Sequence, residues 1–404
     1  MSLPLAGVRV LDLSRVLAGP VCCQLLADLG ADVVKVERPG TGDDTRQWGP
    51  PFVDDDGPSA YYLAANRGKR SLALDLDQPR GREVLAQLLQ HADVMVENFL
   101  PAARAKFGLA PERLAAINPR LVSASISGFG RTGPFADQPG YDLVIQATSG
   151  LMSITGEPDG APMKVGVALS DIIAGLYTAA SVLAGLVGRD AGQGGRAFDL
   201  ALADCTLASL VNVAQAALVT GQRPRRYGNA HAQIVPYEVF ATADGHLVLA
   251  VGNDRQWQRF CAAIGQQAWG TDPRYATNPE RVRHRETLVP SLATIIAAQS
   301  TAAWLELLDQ AEVPHAPVLP LDKVLAGPQA KARDMVAQVT DRAGRSYRLL
   351  KSPVHWEGET RTAPAAPPEL GQHSEEVLRD WLALADHELA ELRAARIIEQ
   401  GNRD

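Results

Sequence analysis

The sequence predicts an α/β fold, a Rossmann-like, mostly parallel sheet with helices on both faces, accompanied by a smaller α+β domain. Two observations carry this. Short β-branched runs alternate with helix-length stretches through the first 200 residues, and parallel neighbours need crossovers of that length. The alternation then stops at a polar, irregular stretch, Arg223-Pro-Arg-Arg-Tyr-Gly-Asn-Ala-His231, beyond which the pattern changes.

Taken in order, Arg9–Ser14, Asp32–Glu37, Ser71–Leu76, Asp93–Glu97, Leu121–Ile126 and Arg196–Leu202 read as strands. Helical patterns lie between them, among them Pro20–Leu29, Pro79–His91 and Ile172–Val187. After the break, Tyr237–Val251 reads as two strands around Asp244-Gly245, a hairpin signal. Helical patterns follow through Asp309, and Pro314–Pro320 interrupts them. Beyond the Pro-rich 363–368 stretch, Glu375–Leu384 and His387–Ile398 read as helices that return to the first domain. The expected division is a large domain of 1–222 and 331–404, built from N- and C-terminal parts, and a small domain of 223–330.

Composition narrows the function. At 404 residues with 46% hydrophobic and 21% charged residues, the chain reads as globular with more than one core. A net charge of -7 and the lack of a long basic run argue against a nucleic-acid partner. Met1-Ser-Leu-Pro-Leu-Ala-Gly lacks the pattern of a secretory leader. No apolar run is expected to reach the roughly 18 residues of a membrane span, because Asp171 interrupts the best candidate. The four cysteines, including the vicinal pair Cys22-Cys23, fit neither disulfide nor zinc spacing, so a cytoplasmic location is expected. The eight histidines form no His-Glu-x-x-His arrangement, and no metal is expected.

The usual cofactor motifs are absent. No Gly-x-Gly-x-x-Gly follows the first strand, and neither a Walker-type loop nor a Gly-x-Ser-x-Gly elbow occurs. Three other segments fall at predicted strand ends, where ligands of parallel sheets bind. Ser14-Arg-Val-Leu-Ala-Gly-Pro20 runs from a strand into a helix opening, which presents free backbone N–H groups. Lys35-Val-Glu-Arg-Pro-Gly with Gly42-Asp-Asp-Thr-Arg-Gln-Trp48 offers basic groups and an aromatic ring to grip a phosphate and stack a base. Ser127-Gly-Phe-Gly-Arg-Thr-Gly-Pro134, followed by Pro139-Gly-Tyr-Asp142, permits close backbone approach. Asp171 stands alone in Val165-Gly-Val-Ala-Leu-Ser-Asp-Ile-Ile-Ala-Gly175. A carboxylate there either caps the helix that follows or does chemistry.

The chain resembles the class III coenzyme A transferases of the CaiB/BaiF type, a group that also includes α-methylacyl-CoA racemases. The likeness spans essentially the whole chain. It rests on Leu11-Asp-Leu-Ser-Arg-Val-Leu-Ala-Gly-Pro20, Leu29-Gly-Ala-Asp-Val-Val-Lys-Val-Glu-Arg-Pro39, Gly42-Asp-Asp-Thr-Arg46, Asn66-Arg-Gly-Lys-Arg-Ser71, Asp93-Val-Met-Val-Glu-Asn-Phe99, Gly166-x4-Asp171-x3-Gly175 and Ile234-Val-Pro-Tyr237. Trp48-Gly-Pro-Pro-Phe52 and Gly228-Asn-Ala-His-x-x-Ile-Val-Pro236 are shared with the succinyl-CoA:dicarboxylate branch.

This resemblance implies a nucleophile at Asp171, which exchanges CoA between an acyl-CoA donor and a carboxylate acceptor through aspartyl anhydride and aspartyl-CoA thioester intermediates. It implies no permanently bound cofactor; coenzyme A and acyl-CoA are substrates. By the same likeness CoA lies along Val16, Leu17, Ala18, Arg38, Leu74, Asp75, Leu76, Asp77, Asn98, Phe99, Leu100 and Lys106, with Tyr141 and Asp142 near the thioester. Lys106 stands where the formyl-CoA enzymes carry Arg, keeping charge but losing bidentate pairing. Leu17 replaces a Gln that binds substrate in those enzymes. Backbone N–H groups near Leu17-Ala18 and the Gly228 loop are candidate oxyanion donors. Arg15, Trp48, Gly228 and His231 are candidates for contact with the acceptor. The family also implies an interlocked homodimer.

Two other functions remain to be weighed. A racemase of this family exchanges the α-proton between a His and the Asp that corresponds to Asp171; the triplet that holds the His is Gly140-Tyr-Asp142 here, and Tyr, with an ordinary pKa of about 10, is a poor base. A non-catalytic acyl-CoA binding protein would tolerate Asp171→Asn. Were Asp171 the first residue of its helix, the helix N-terminus would favour its ionised form.

Overall fold

The computed structural model describes residues 3–358 and 363–401. The chain folds as two compact units: Met1–Leu151, Val165–Val219 and Pro328–Asp404 form the larger, Met152–Lys164 and Thr220–Gly327 the smaller. Met1 and Ser2, part of the segment read for a leader, lie outside the described residues.

The larger unit is built on seven strands: β1 (Arg9–Asp12), β2 (Asp32–Glu37), β3 (Arg70–Leu74), β4 (Val94–Glu97), β5 (Val122–Ser127), β6 (Ala197–Ala201) and a late edge strand of Ile398–Glu399. From that edge the order is β3-β2-β1-β4-β5-β6. Every pair among β1 to β6 is parallel, and the edge strand joins β3 antiparallel. β2 reads Val-Val-Lys-Val, which suits a parallel strand covered on both faces.

Each face has its own core. One packs Leu85, Leu88 and Leu89 of the Pro79–His91 helix with Val377, Leu378 and Trp381 of the Ser374–Leu382 helix against Leu11, Leu72 and Leu74. The other packs Cys22, Cys23 and Leu26 of the Ala18–Asp28 helix with Ala174, Ala179 and Val182 of the Leu169–Gly188 helix against Val10, Val94 and Val122. This second core corrects one expectation. Together with the turn that continues it, the Leu169–Gly188 helix reaches Gln193 and is long and apolar enough, by length and composition, to cross a membrane. Asp171 stands in its first turn and leaves the rest uninterrupted.

The smaller unit contains a three-stranded antiparallel sheet: β7 (Tyr237–Ala241), β8 (His246–Ala250) and β9 (His315–Pro317). Its core gathers Trp257, Phe260, Leu292 and Trp304 around Phe240, Leu247 and Leu249. The expected boundary is corrected at one place, because Met152–Lys164 belongs to this unit. Arg226 donates to the carbonyls of Glu157 and Gly160, and the Gly228 N–H donates to Gly156 O at 3.1 Å. The binding of that segment is by backbone groups, which leave no hydrophobic period in the sequence. The larger unit also holds an antiparallel hairpin that the sequence pattern did not reveal, β10 (Val336–Thr340) with β11 (Ser346–Leu350). Ala337, Val339 and Leu349 pack with Leu63. The late edge strand is β12.

Candidate active site

Strand order reverses direction between β1 and β4, so the loops beyond their carboxyl ends diverge and open a crevice. Asn98, one residue past β4, bridges it. Its side chain accepts from the Arg15 N–H at 2.9 Å and donates to the Arg15 carbonyl at 2.8 Å. The next residue, Val16, has φ of 70°. A β-branched residue in that region costs about 1–2 kcal/mol and persists only where its surroundings enforce it. Asp43 supplies the restraint, accepting from the Val16 N–H at 3.2 and 3.3 Å through its two oxygens.

Beneath this loop lies a buried network of charges. Lys35 Nζ meets Asp43 at 2.8 Å and donates to Ser14 O at 2.9 Å. Lys69 Nζ reaches Asp12 at 2.9 Å, Asn66 Oδ1 at 2.9 Å and Pro20 O at 3.0 Å. Arg46 grips Glu37 through two bonds of 2.8 and 2.7 Å. Burial pushes the Asp43 carboxyl up, but Lys35 and the Thr45 donors hold it below the usual carboxylate range. Hence the reading of Lys35 and Arg46 as groups that grip a phosphate is corrected. Both are consumed by carboxylates, which buried charges require.

The cap reading of Asp171 is also corrected. The helix starts at Leu169, and its N-cap Ala168 makes no side-chain bond. Asp142 supplies the missing acceptor from the Asp142–Thr148 helix, with Oδ1 taking the Ser170 N–H at 2.9 Å. Asp171 is left half-buried in the first turn. Burial, and then the like charge of Asp142, raise its carboxyl to about 7, against a lowering by the Ala18 N–H. The helix terminus therefore does not hold it ionised. Desolvation and a neighbouring carboxylate outweigh the dipole here. The Ala18 N–H comes this close because Gly175, one turn along, has no side chain; a Cβ there would lie 2.6 Å from Ala18 O.

Along the carboxyl ends of β1, β2 and β3 runs a groove open to solvent. It gathers Arg15, Arg38, Leu74, Asp75, Leu76, Asp77 and Phe99. Lys106 pairs with Asp77 at 2.6 Å and holds that carboxyl below its ordinary value. Val16, Leu17 and Ala18 form the loop and helix opening beside it, and Leu100 is an exposed N-cap of the Pro101–Phe107 helix. Arg15 pairs with Asp44 at 3.4 Å, both well exposed. Tyr141 is 66% exposed, whereas Asp142 points to the Ser170 N–H. Trp48, 41% exposed, stands edge-on to Tyr61 with ring centroids 5.1 Å apart. Gly228 and His231 belong to the smaller unit. Gly228 takes φ of 59°, and His231 Nδ1 accepts from the Gln233 N–H at 3.0 Å.

The model of CoA-transferase family III matches residues 5–374. The chain belongs to CoA-transferase family III. It is 44% identical to a succinate–glutarate CoA-transferase of Agrobacterium fabrum over 93% of this chain and 95% of that one. It is 37% identical to the succinyl-CoA:glutarate CoA-transferase of Homo sapiens, over 98% and 90% of the two chains. A solved CaiB/BaiF family protein from Brucella suis is 40% identical and superposes with a TM-score of 0.82, covering 94% of this chain and 100% of the other. The protein is therefore a CoA-transferase, an enzyme whose substrate is a CoA thioester.

Two residues around the candidate site escaped the sequence reading. Tyr61 is half-buried, and its hydroxyl is raised by burial and then by Asp171, Asp142 and Asp43, which puts it among all three carboxylates. Gln146 is fully buried beside Asp142. A signal for Gln146 existed: it is the one amide within Asp-Leu-Val-Ile-Gln-Ala-Thr148, four residues after Asp142 and on the same helix face. Tyr61 carried no such mark.

Proposed function

We propose that this transferase moves CoA from succinyl-CoA to a dicarboxylic acid such as glutarate, with Asp171 as nucleophile. The observation that carries the proposal is the carboxylate of Asp171 in the first turn of a helix, facing the Ala18 N–H where the β1 loop meets the groove. A carboxylate whose pKa is raised to about 7 is half ionised at neutral pH, and its ionised form is more basic than an ordinary aspartate.

In the first step an Asp171 oxygen bonds to the thioester carbon, the C–S bond breaks, and CoA leaves as thiolate. The thiolate attacks Asp171 Cγ of the mixed anhydride and releases the donor carboxylate, which leaves an aspartyl-CoA thioester. The acceptor carboxylate attacks that Cγ, expelling the thiolate and forming a second anhydride. The thiolate then attacks the acceptor's carbonyl carbon, giving the new acyl-CoA and free Asp171. Each step exchanges one acyl leaving group for another, and the Ala18 N–H is suited to donate to the oxyanion.

The groove suits CoA, with Arg38 exposed on its wall and Lys106 at its rim for phosphate. Arg15 would exchange its exposed partner Asp44 for the distal carboxylate of the acceptor. The relatives named above act on glutarate, which supports a dicarboxylate. We also propose a cytoplasmic homodimer. The four cysteines are unpaired and buried, and the Val211–Thr220 helix leaves Val211, Leu218 and Val219 exposed.

Racemisation is less well served. It needs a second base opposite Asp171, and the residue at that position is Tyr141, a phenol where the racemases carry an imidazole. The deciding experiment is intact-protein and peptide mass spectrometry after incubation with succinyl-CoA. A gain of CoA less water on the Asp171 peptide is expected, with none in Asp171→Asn. Absence of any adduct, combined with interconversion of (R)- and (S)-2-methylacyl-CoA, would overturn the mechanism. Absence of both adduct and turnover would favour a binding protein.

A further inference from the structure

Gln146 has no reactive group and no exposed surface, yet each polar atom of its amide is committed to the site. Its side chain is completely buried. Burying an amide is unfavourable unless its hydrogen bonds are replaced. Here Nε2 donates to Asp142 Oδ2 at 2.8 Å and to Val167 O at 3.3 Å, while Oε1 accepts from the Val165 N–H at 2.9 Å. The amide thus binds the backbone leading into the Leu169–Gly188 helix much as a neighbouring strand would. The same group fixes the one Asp142 oxygen that the Ser170 N–H leaves free.

We propose that Gln146 is a positioning residue for acyl transfer: it clamps residues 165–167 and locks the Asp142 carboxylate, which together set the place of Asp171 at the helix opening. The inference rests on Asp171 being the nucleophile. Tyr61 faces Asp171 from the Ala60–Ala65 helix, and Asp142 faces it from its own. Of the charges on other elements packed against the same helix, Asp28 pairs with Arg67, Asp199 accepts from the Arg131 N–H, Asp204 faces Cys205, and Arg189 pairs with Asp93. Rotation of the freed Asp142 carboxylate, or drift of the 165–167 segment, would move the nucleophile; a displacement of about 1 Å costs on the order of 100-fold in rate.

The test uses Gln146→Met and Gln146→Glu in the full-length enzyme, with succinyl-CoA and glutarate as probes from pH 5.5 to 9. Met removes donor and acceptor at nearly constant volume. With it, kcat falls roughly 10- to 100-fold, while KM for succinyl-CoA changes little. Glu keeps the shape and imitates the amide only while protonated, when it can still donate to Asp142. Its rate relative to wild type should therefore approach unity in acid and fall at least about tenfold by pH 9. A ratio constant across pH, or a KM rise that accounts for the whole loss, overturns the role. Thermal unfolding of both variants verifies that folded protein is compared. The wild-type adduct at Asp171 separates the two readings: if it forms and the ratio is flat, only the role of Gln146 falls; if it does not form, both fall.

Discussion

Asp142 Oδ1 accepts the Ser170 N–H at 2.9 Å, so the opening of the Leu169–Gly188 helix is capped by a carboxylate from a different helix. This leaves Asp171, the adjacent residue, without the capping role that would have lowered its pKa. Instead it feels the charge of Asp142.

Activity should then titrate near neutrality. With Asp171 raised to about 7 by burial and by Asp142, the acid limb of kcat/KM for succinyl-CoA is expected near pH 7. Asp142→Asn removes the like charge but retains an acceptor for Ser170. The limb should move to lower pH without reaching the ordinary carboxylate range, because burial, the larger cause, remains. An unmoved limb in this variant would mean that another group governs the profile.

The same shift makes a stability prediction. A carboxyl raised from 3.8 to about 7 destabilises the fold when ionised, by at most about 4 kcal/mol. The penalty is absent below pH 4, grows between pH 4 and 7, and is complete above that. Asp171→Asn should therefore unfold at higher denaturant than wild type at pH 8 and at the same concentration near pH 4. Urea titrations at the two pH values check this.

The buried pair under the β1 loop should be costly to break. Lys69 and Asp12 are both fully buried and 2.9 Å apart. Lys69→Met leaves the Asp12 charge without its partner, for an expected loss of about 3–5 kcal/mol. Adding Asp12→Asn should recover part of it. A double variant as unstable as the single one would contradict the charge argument.

Acceptor choice should depend on Arg15. Its only ion pair among the described residues is with Asp44, at 3.4 Å and exposed, so exchange with a ligand carboxylate is cheap. Arg15→Met is expected to raise KM for glutarate roughly tenfold or more and to leave monocarboxylate acceptors almost unaffected. Parallel kinetics with the two acceptor classes decide it.

Much of this arrangement was legible in the chain. Strands β1 to β6 fall within one or two residues of their expected positions, because runs such as Val33-Val-Lys-Val36 advertise a doubly covered strand. Asp171 announced itself as one acid in an apolar stretch. The roles of its neighbours did not. Lys35 and Arg46 look like ligand-binding cations in sequence, and only tertiary pairing with Asp43 and Glu37 shows that they are structural. The start of the Leu169–Gly188 helix was placed three residues late because its cap comes from Asp142, a contact with no local signature. Met152–Lys164 was assigned to the wrong unit for a similar reason.

β12 has a consequence for synthesis. Ile398 and Glu399 pair with Leu74 and Ala73, and the Ile397 carbonyl accepts from the Asp75 N–H at 2.8 Å. The stretch that walls the groove is made early, and the strand that covers its edge leaves the ribosome more than 300 residues later. Through that interval the nascent chain carries β3 with one row of backbone groups unsatisfied, a template for wrong pairing. Protection of that edge is thus acquired late in translation, long after the groove's own residues are made.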